Sequence, residues 1–155
     1  AITEDGMPGP LASALRTRTG VESSGAFTTQ FGLDMPGPIG PGQAYIFEFT
    51  AHEGEHLSLA TMFVQSNDLF YAPSQEGIAL FTESGRPIGG DITHYFELWD
   101  AGTEVNEEPG LGANQAPRQS GPNTGPDENG VVQLVDDDYK YPDVRDVIRV
   151  IINPN

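Results

Sequence analysis

The chain contains no cysteine. That excludes disulfides, thiol catalysis and cysteine-ligated zinc. It is also poor in positive charge, with seven Lys plus Arg against 23 Asp plus Glu and a net charge of −16. Nucleic-acid phosphates need a basic footprint, so a nucleic-acid partner is not expected. No apolar run approaches the roughly 20 residues of a membrane-spanning helix. Gly110-x-Gly112 has no strand before it and no helix after it, so a nucleotide loop finds no support. Ser23 and Ser24 have no evident base to activate them. What the chain has in plenty is Gly (19) and Pro (13) within 155 residues, together with eight Phe, five Tyr and one Trp. Turns should be abundant, and the aromatics supply the core that a disordered chain lacks. One domain covering residues 1–155 is expected from this length.

Along the chain, residues 1–20 hold the one expected helix. Pro8 and Pro10 start it, Leu11, Ala14 and Leu15 give it an apolar face, and Gly20 ends it. The period then changes to two. Strands are expected at residues 26–31, 45–50, 56–64, 78–81, 93–99 and 145–152, separated by loops such as MPGPIGPG at 35–42. Residues 101–130 contain ten Gly and Pro and read as irregular. Residues 147–152 are apolar almost throughout, which implies cover on both faces. The pattern predicts an all-β protein, an antiparallel β-sandwich with long irregular loops and one short N-terminal helix.

His52-Glu53-Gly54-Glu55-His56 matches H-E-x-x-H letter for letter. In zinc proteases that motif works because a helix sets both His on one face. Here both flanks alternate with period two and Gly54 sits at the centre. The expectation is a hairpin turn between two strands, not a helix.

Two other segments place carboxylates where an apolar strand runs into a loop: Gln65-Ser66-Asn67-Asp68, and Asp100-Ala101-Gly102-Thr103-Glu104. Between Arg86 and Arg118 there is no Lys or Arg, while five acidic residues fall between Glu97 and Glu108. Calcium takes six to eight hard oxygens, and Gly102 lets a loop wrap an ion. Spacing alone leaves a calcium site and a solvated acidic loop both open. Asp136-Asp137-Asp138 reads as a solvated turn, with a second calcium site as the minority alternative, and Trp99 reads as packing.

The stretch Ser58-Leu59-Ala60-Thr61-Met62-Phe63-Val64-Gln65-Ser66-Asn67-Asp68, followed by Trp99-Asp100-Ala101-Gly102-Thr103-Glu104, resembles the spondin domain, known from the extracellular matrix and from secreted bacterial proteins. Asn106-Glu107-Glu108-Pro109-Gly110 and Gln115-Ala116-Pro117-Arg118-Gln119 are similar to the bacterial branch. The resemblance spans about residues 3–152. It implies a calcium-bearing sandwich with three carboxylate ligands, which fall on Asp68, Asp100 and Glu104. Glu104 stands where animal members carry Asp. Asn67 and backbone carbonyls are expected to complete the shell.

What the resemblance implies for function is a non-catalytic, secreted or cell-surface bacterial protein, extracellular or periplasmic, serving adhesion, matrix or surface assembly. The alternative is a calcium-bridged module for lipid headgroups or polysaccharide; an enzyme is the least favoured class. Ala1 suits a terminus left by cleavage after a small residue. Set against the resemblance, the given residues are expected to begin after the strand that opens the family's sandwich, with that strand removed by processing, lying ahead of Ala1 or supplied by a neighbouring chain; a protein partner or a second copy is accordingly expected to pair with the sheet edges.

Overall fold

The computed structural model describes residues 2–155; Ala1, the first residue of the expected helical stretch, lies outside them. The chain is mostly antiparallel β in small sheets, with 17% strand and 12% helix, short helices at the N-terminus, long loops and no closed barrel among the described residues. No helix among them is long and apolar enough to cross a membrane. The chain divides into two compact units, one of Ile2 with Gly6–Thr50, the other of Thr3–Asp5 with Ala51–Asn155. The expected single helix is two: α1 (Ile2–Asp5) and α2 (Gly9–Leu15).

In the Gly6–Thr50 unit, Pro8 caps α2 and a proline stands in its first turn, where the missing N–H costs nothing. Ala12 is the buried residue of this helix, and its carbonyl accepts from Arg16 N and Ser24 Oγ. The helix ends at Leu15, five residues before Gly20, in successive turns. The strands expected at 26–31 and 45–50 do not form. Their alternation produces a ring stack instead. Phe27 lies flat on Phe47 at 4.7 Å, with Tyr45 at 5.4 Å from Phe27 and Phe49 at 6.0 Å from Phe47. The backbone contributes one isolated bridge, Thr29 with Pro36, plus the bond from Phe31 N to Ala44 O. Period-two alternation selects a face but supplies no ladder partner, and prolines at 36, 38 and 41 remove donors from the segment between.

The Ala51–Asn155 unit carries the sheets. A four-stranded antiparallel sheet runs in the order β2 (Thr61–Met62), β3 (Leu69–Ala72), β6 (Glu97–Asp100), β7 (Gln133–Leu134). Two further pairs are β1 (His56–Leu57) with β4 (Ile78–Ala79), and β5 (Gly90–Asp91) with β8 (Ile151–Ile152). Phe63, Leu69, Tyr71, Ile78, Ile92 and Phe96 form the core. Tyr71 and Phe63 pack tilted at 5.6 Å, and burial pushes the Tyr71 hydroxyl up to about 12.

Three expected strands are shortened for local reasons. Asp91 Oδ1 accepts from Thr93 N and turns residues Thr93–Tyr95 into a 3₁₀ turn, which takes His94 out of the strand; β6 starts only at Glu97. Asp143 accepts from Arg145 N and starts α3 (Val144–Val147), leaving two residues of the expected 145–152 strand in β8. Cover there is one-sided: Ile148, Val150 and Ile152 pack on the core, while Val147 and Ile151 stand exposed. The 56–64 strand is split into β1 and β2, which lie in different sheets.

The H-E-G-E-H segment is a turn, with Gly54 at φ 88° and Glu55 N bonded to His52 O. Glu55 Oε2 accepts from His52 N at 2.7 Å, and the His56 ring bonds Glu76 O at 2.7 Å. Only its C-terminal flank enters a strand, and that strand pairs with β4 rather than with residues 45–50. The expected hairpin is therefore a turn without its first strand.

Candidate metal centre

The turn between β2 and β3 buries its polar residues. Ser66 Oγ donates to Phe63 O and accepts from Leu69 N, which closes the turn and turns Asn67 and Asp68 away from water. Asp68 is 0% exposed. The next residue, Leu69, is paired with Asp100 across the β3–β6 ladder. Register thus sets Asp68 one residue beyond the ladder, at the end where β6 runs into its loop.

That loop folds over the same end. Asp68 Oδ2 accepts three bonds from it: Thr103 N at 2.7 Å, Thr103 Oγ1 at 2.7 Å and Glu104 N at 3.0 Å. Asp100 Oδ1 takes Gly102 N at 2.6 Å and its Oδ2 takes Asn106 Nδ2 at 2.7 Å. Residues 102–105 are backed by 126–130, through Gly130 N to Gly102 O, Glu128 N to Thr103 O and Val105 N to Pro126 O. Gly102 holds φ 69°, and a Cβ there would stand 2.6 Å from Val131 N, so a side chain is excluded on both counts. At Gly125 a Cβ would lie 2.6 Å from Glu104 Oε2, so a side chain there would displace the Glu104 carboxylate.

The structure therefore brings Asp68, Asp100 and Glu104 into one buried acidic cluster. Glu104 is 1% exposed and Asp100 4%. Burial raises the Asp100 carboxyl above its ordinary value, and the charges of Asp68 and Asp137 add to it against the Gly102 and Asn106 bonds. Burial likewise raises Glu104, with Glu4 and Asp68 adding to it against the Gly125 N–H and the Asn67 amide. Glu128 is raised by burial and by Asp100 and Asp68. Every charge acting on the pair Asp100 and Glu104 is another carboxylate.

Two oxygens of the cluster are left over. Asp68 Oδ1 and Glu104 Oε2 are buried and accept no hydrogen bond. Buried acceptors of this kind cost about 1–3 kcal/mol each, more when charged. They are hard anionic donors of the type calcium takes. Among the described residues, however, no group of three or more His, Asp or Glu side chains is arranged to hold a metal ion. The donor chemistry fits a hard cation, while the side chains of this conformation do not by themselves close around one.

Asn67 acts on Glu104 through its amide and also bonds the neighbouring Glu107. Its Oδ1 accepts from Glu107 N at 3.1 Å and its Nδ2 donates to Glu107 Oε2 at 3.2 Å. Glu107 takes two further bonds from Asn114, and fully buried Gln115 ties the same loop through Glu108 O and Gly110 N. Asn67 thus fastens the Glu107 loop beside the cluster. The Asp136–Asp137 turn forms, with Asn106, Gln133 and Tyr139, an acidic cleft of about 250 Å³ that reaches Asp100. Trp99 is half-buried and its Nε1 donates to Ala72 O at 3.1 Å, in keeping with packing.

Sequence spacing pointed to neither Glu4 nor Glu128. Both come from segments remote in the chain, and no local motif marks them. No family model matches the chain, and no curated protein or solved structure does so either.

Proposed function

We propose that this chain is a non-catalytic, calcium-binding β-sandwich of the spondin type, secreted or displayed at a bacterial cell surface, where it serves adhesion, matrix or surface assembly. The observation that carries the reading is the pair of buried, unbonded oxygens, Asp68 Oδ1 and Glu104 Oε2, inside a cluster whose charges are all negative. Asp68, Asp100 and Glu104 would hold the ion, which would supply the positive charge that the fold leaves out. The N–H and hydroxyl donors of Thr103, Glu104 and Gly102 keep the carboxylates aimed while they are metal-free. Asn67 supports the site by its amide's bond to Glu104 and by holding Glu107.

The cleft beside Asp100 supports a second reading in which the ion bridges to a ligand. Its acidic lining disfavours a phosphate headgroup and suits the hydroxyls of a polysaccharide.

Calorimetric titration of chelator-stripped protein with calcium chloride should give one tight site per chain. At free calcium ten times Kd the folded state gains about 1.4 kcal/mol, so chelator should lower the melting temperature by about 3–5 °C. Asp100→Asn should remove that sensitivity. Identical melting curves with and without chelator, and no heat of binding, would mean the cluster is only a buried acidic loop.

A further inference from the structure

The Gly6–Thr50 unit holds one stretch in place without using its backbone. Tyr45, Phe47 and Phe49 fall at every second residue, and their rings share one row with Phe27: 5.4 Å from Phe27 to Tyr45, 4.7 Å from Phe27 to Phe47 and 6.0 Å from Phe47 to Phe49. Side chains two apart share a face only on extended backbone. The stretch is pinned at its start, where Phe31 N donates to Ala44 O at 2.8 Å and the Tyr45 hydroxyl donates to Gly37 O at 2.6 Å. Beyond Ala44, no backbone N–H or C=O of residues 45–50 bonds any described residue. The side chains are open as well: Ile46 is 61% exposed, Phe47 42% and Phe49 43%. No Lys or Arg occurs from Val21 to Gly85, while Glu22, Asp34 and Glu48 stand exposed in this unit; its own cations, Arg16 and Arg18, directly follow α2.

We propose that residues 45–50 are an acceptor strand for an extended segment of another protein, rich in Lys or Arg, which pairs with them by main-chain hydrogen bonds. Alternate apolar side chains of that segment lie along Phe47 and Phe49, and its cations face Glu48. Three observations select this occupant. A row of unpaired N–H and C=O groups on extended backbone is a template for a strand, with side chains in alternate positions setting specificity. The same row tells against lipid tails, which leave backbone groups unsatisfied. The charge tells against a second copy, which would bring a further −16 onto an acidic surface, and favours a basic partner. The ring row fixes the stretch before anything binds, so little ordering is left to oppose association. The inference needs no bound ion and goes beyond the calcium reading.

The test uses the whole chain and three synthetic peptides. The first alternates Lys with Val and Phe. The second carries Glu in place of each Lys. The third keeps the Lys residues and carries Pro in place of each Val, which removes strand donors. The Lys peptide should slow amide exchange across residues 45–50, with chelator and with calcium chloride alike; the Glu and Pro peptides should not. Glu48→Lys should weaken the Lys peptide by about fivefold in about 0.01 M salt and by less in about 0.5 M, because a cross-strand attraction becomes a repulsion. Ile46→Pro should abolish protection, whereas Ile46→Thr, which keeps the N–H, should retain most of it and guards against a folding defect in the proline variant. No protection by the Lys peptide, or equal protection by it and either control peptide, would overturn the proposal. Sedimentation showing a dimer whose residues 45–50 are protected without peptide would assign the strand to a second copy and overturn it as well. Each of these results leaves the calcium titration to stand or fall by itself.

Discussion

Asp91 and Asp100 end two strands that follow one another in the chain but lie in different sheets of one unit, and they live in opposite electrostatic worlds. Asp91 is exposed. Its carboxylate accepts from Thr93 and from Arg149 Nε at 3.1 Å, and these bonds, Thr93 first, bring it down to about 2. Asp100 is buried, its neighbours are Asp68 and Asp137, and its carboxyl is raised. Glu107 repeats the lesson inside the loop: with donors from Asn67 and Asn114 on its two oxygens, it needs nothing more. The fold can therefore satisfy an acid when it chooses to. Around Asp68 and Glu104 it leaves one buried oxygen of each carboxylate without a hydrogen bond, and no Lys, Arg or His among the described residues is among the charges acting on Glu104 or Asp100.

The sharpest way to break this comparison is to remove the acid that holds the loop. Asp68→Ala strands three donors, Thr103 N, Thr103 Oγ1 and Glu104 N. It should cost about 2–4 kcal/mol in urea denaturation of metal-free protein, since each unmet buried donor costs about 1–3 kcal/mol and relief of acid repulsion returns a part. Asp68→Asn keeps an acceptor for those donors and removes the charge, so metal-free it should match wild type or exceed it. Equal losses in the two variants would show that Asp68 acts by charge and not by its bonds.

A smaller effect is the pH dependence of the metal-free chain. The Asp100 and Glu104 carboxyls are raised above ordinary values of 3.8 and 4.5. A group raised in the folded state contributes most below its unfolded value and loses that contribution as pH rises through the folded one. Metal-free protein should thus melt higher at about pH 5 than at about pH 7.5, by a few degrees. With saturating calcium the ion holds both groups charged, so the trend should vanish or reverse. A flat profile in both conditions would place these carboxyls in ordinary solvent.

Much of the cluster could be read in the sequence because both acidic segments follow a strand, and strand ends are placed by register. The alternation of Leu69 and Tyr71 fixes β3, its pairing fixes Asp100, and Gly102 announces the tight loop. Glu4 and Glu128 could not be read, because nothing local records which remote segment covers a strand end. The ring stack of Phe27, Phe47 and Phe49 shows the opposite failure. Its alternation was plain, yet alternation does not name a hydrogen-bond partner, and among proline-punctuated loops the rings found one another without a ladder. At residues 144–147 and 93–95, single aspartates capped turns that the run of β-branched neighbours concealed.

The smallest expected effect lies on the other side of the comparison, at Asp91. Its folded value, about 2, lies below the ordinary 3.8, so its contribution is present above 3.8 and is lost as pH falls through about 2. Arg149 and Asp91 are both largely open to solvent, and exposed pairs are worth little. Arg149→Ala should therefore lower the melting temperature only slightly at pH 7. The difference should shrink when salt is raised from about 0.01 M to about 0.5 M, because the Debye length falls below the range of an exposed pair's influence. It should shrink again on acidification, once Asp91 takes up its proton. Calcium should leave it untouched, since neither side chain belongs to the buried cluster. An Arg149→Ala penalty that depends on calcium would mean that the two acids are not electrostatically separate, and that the β5–β8 edge and the Asp100–Glu104 loop respond as one element.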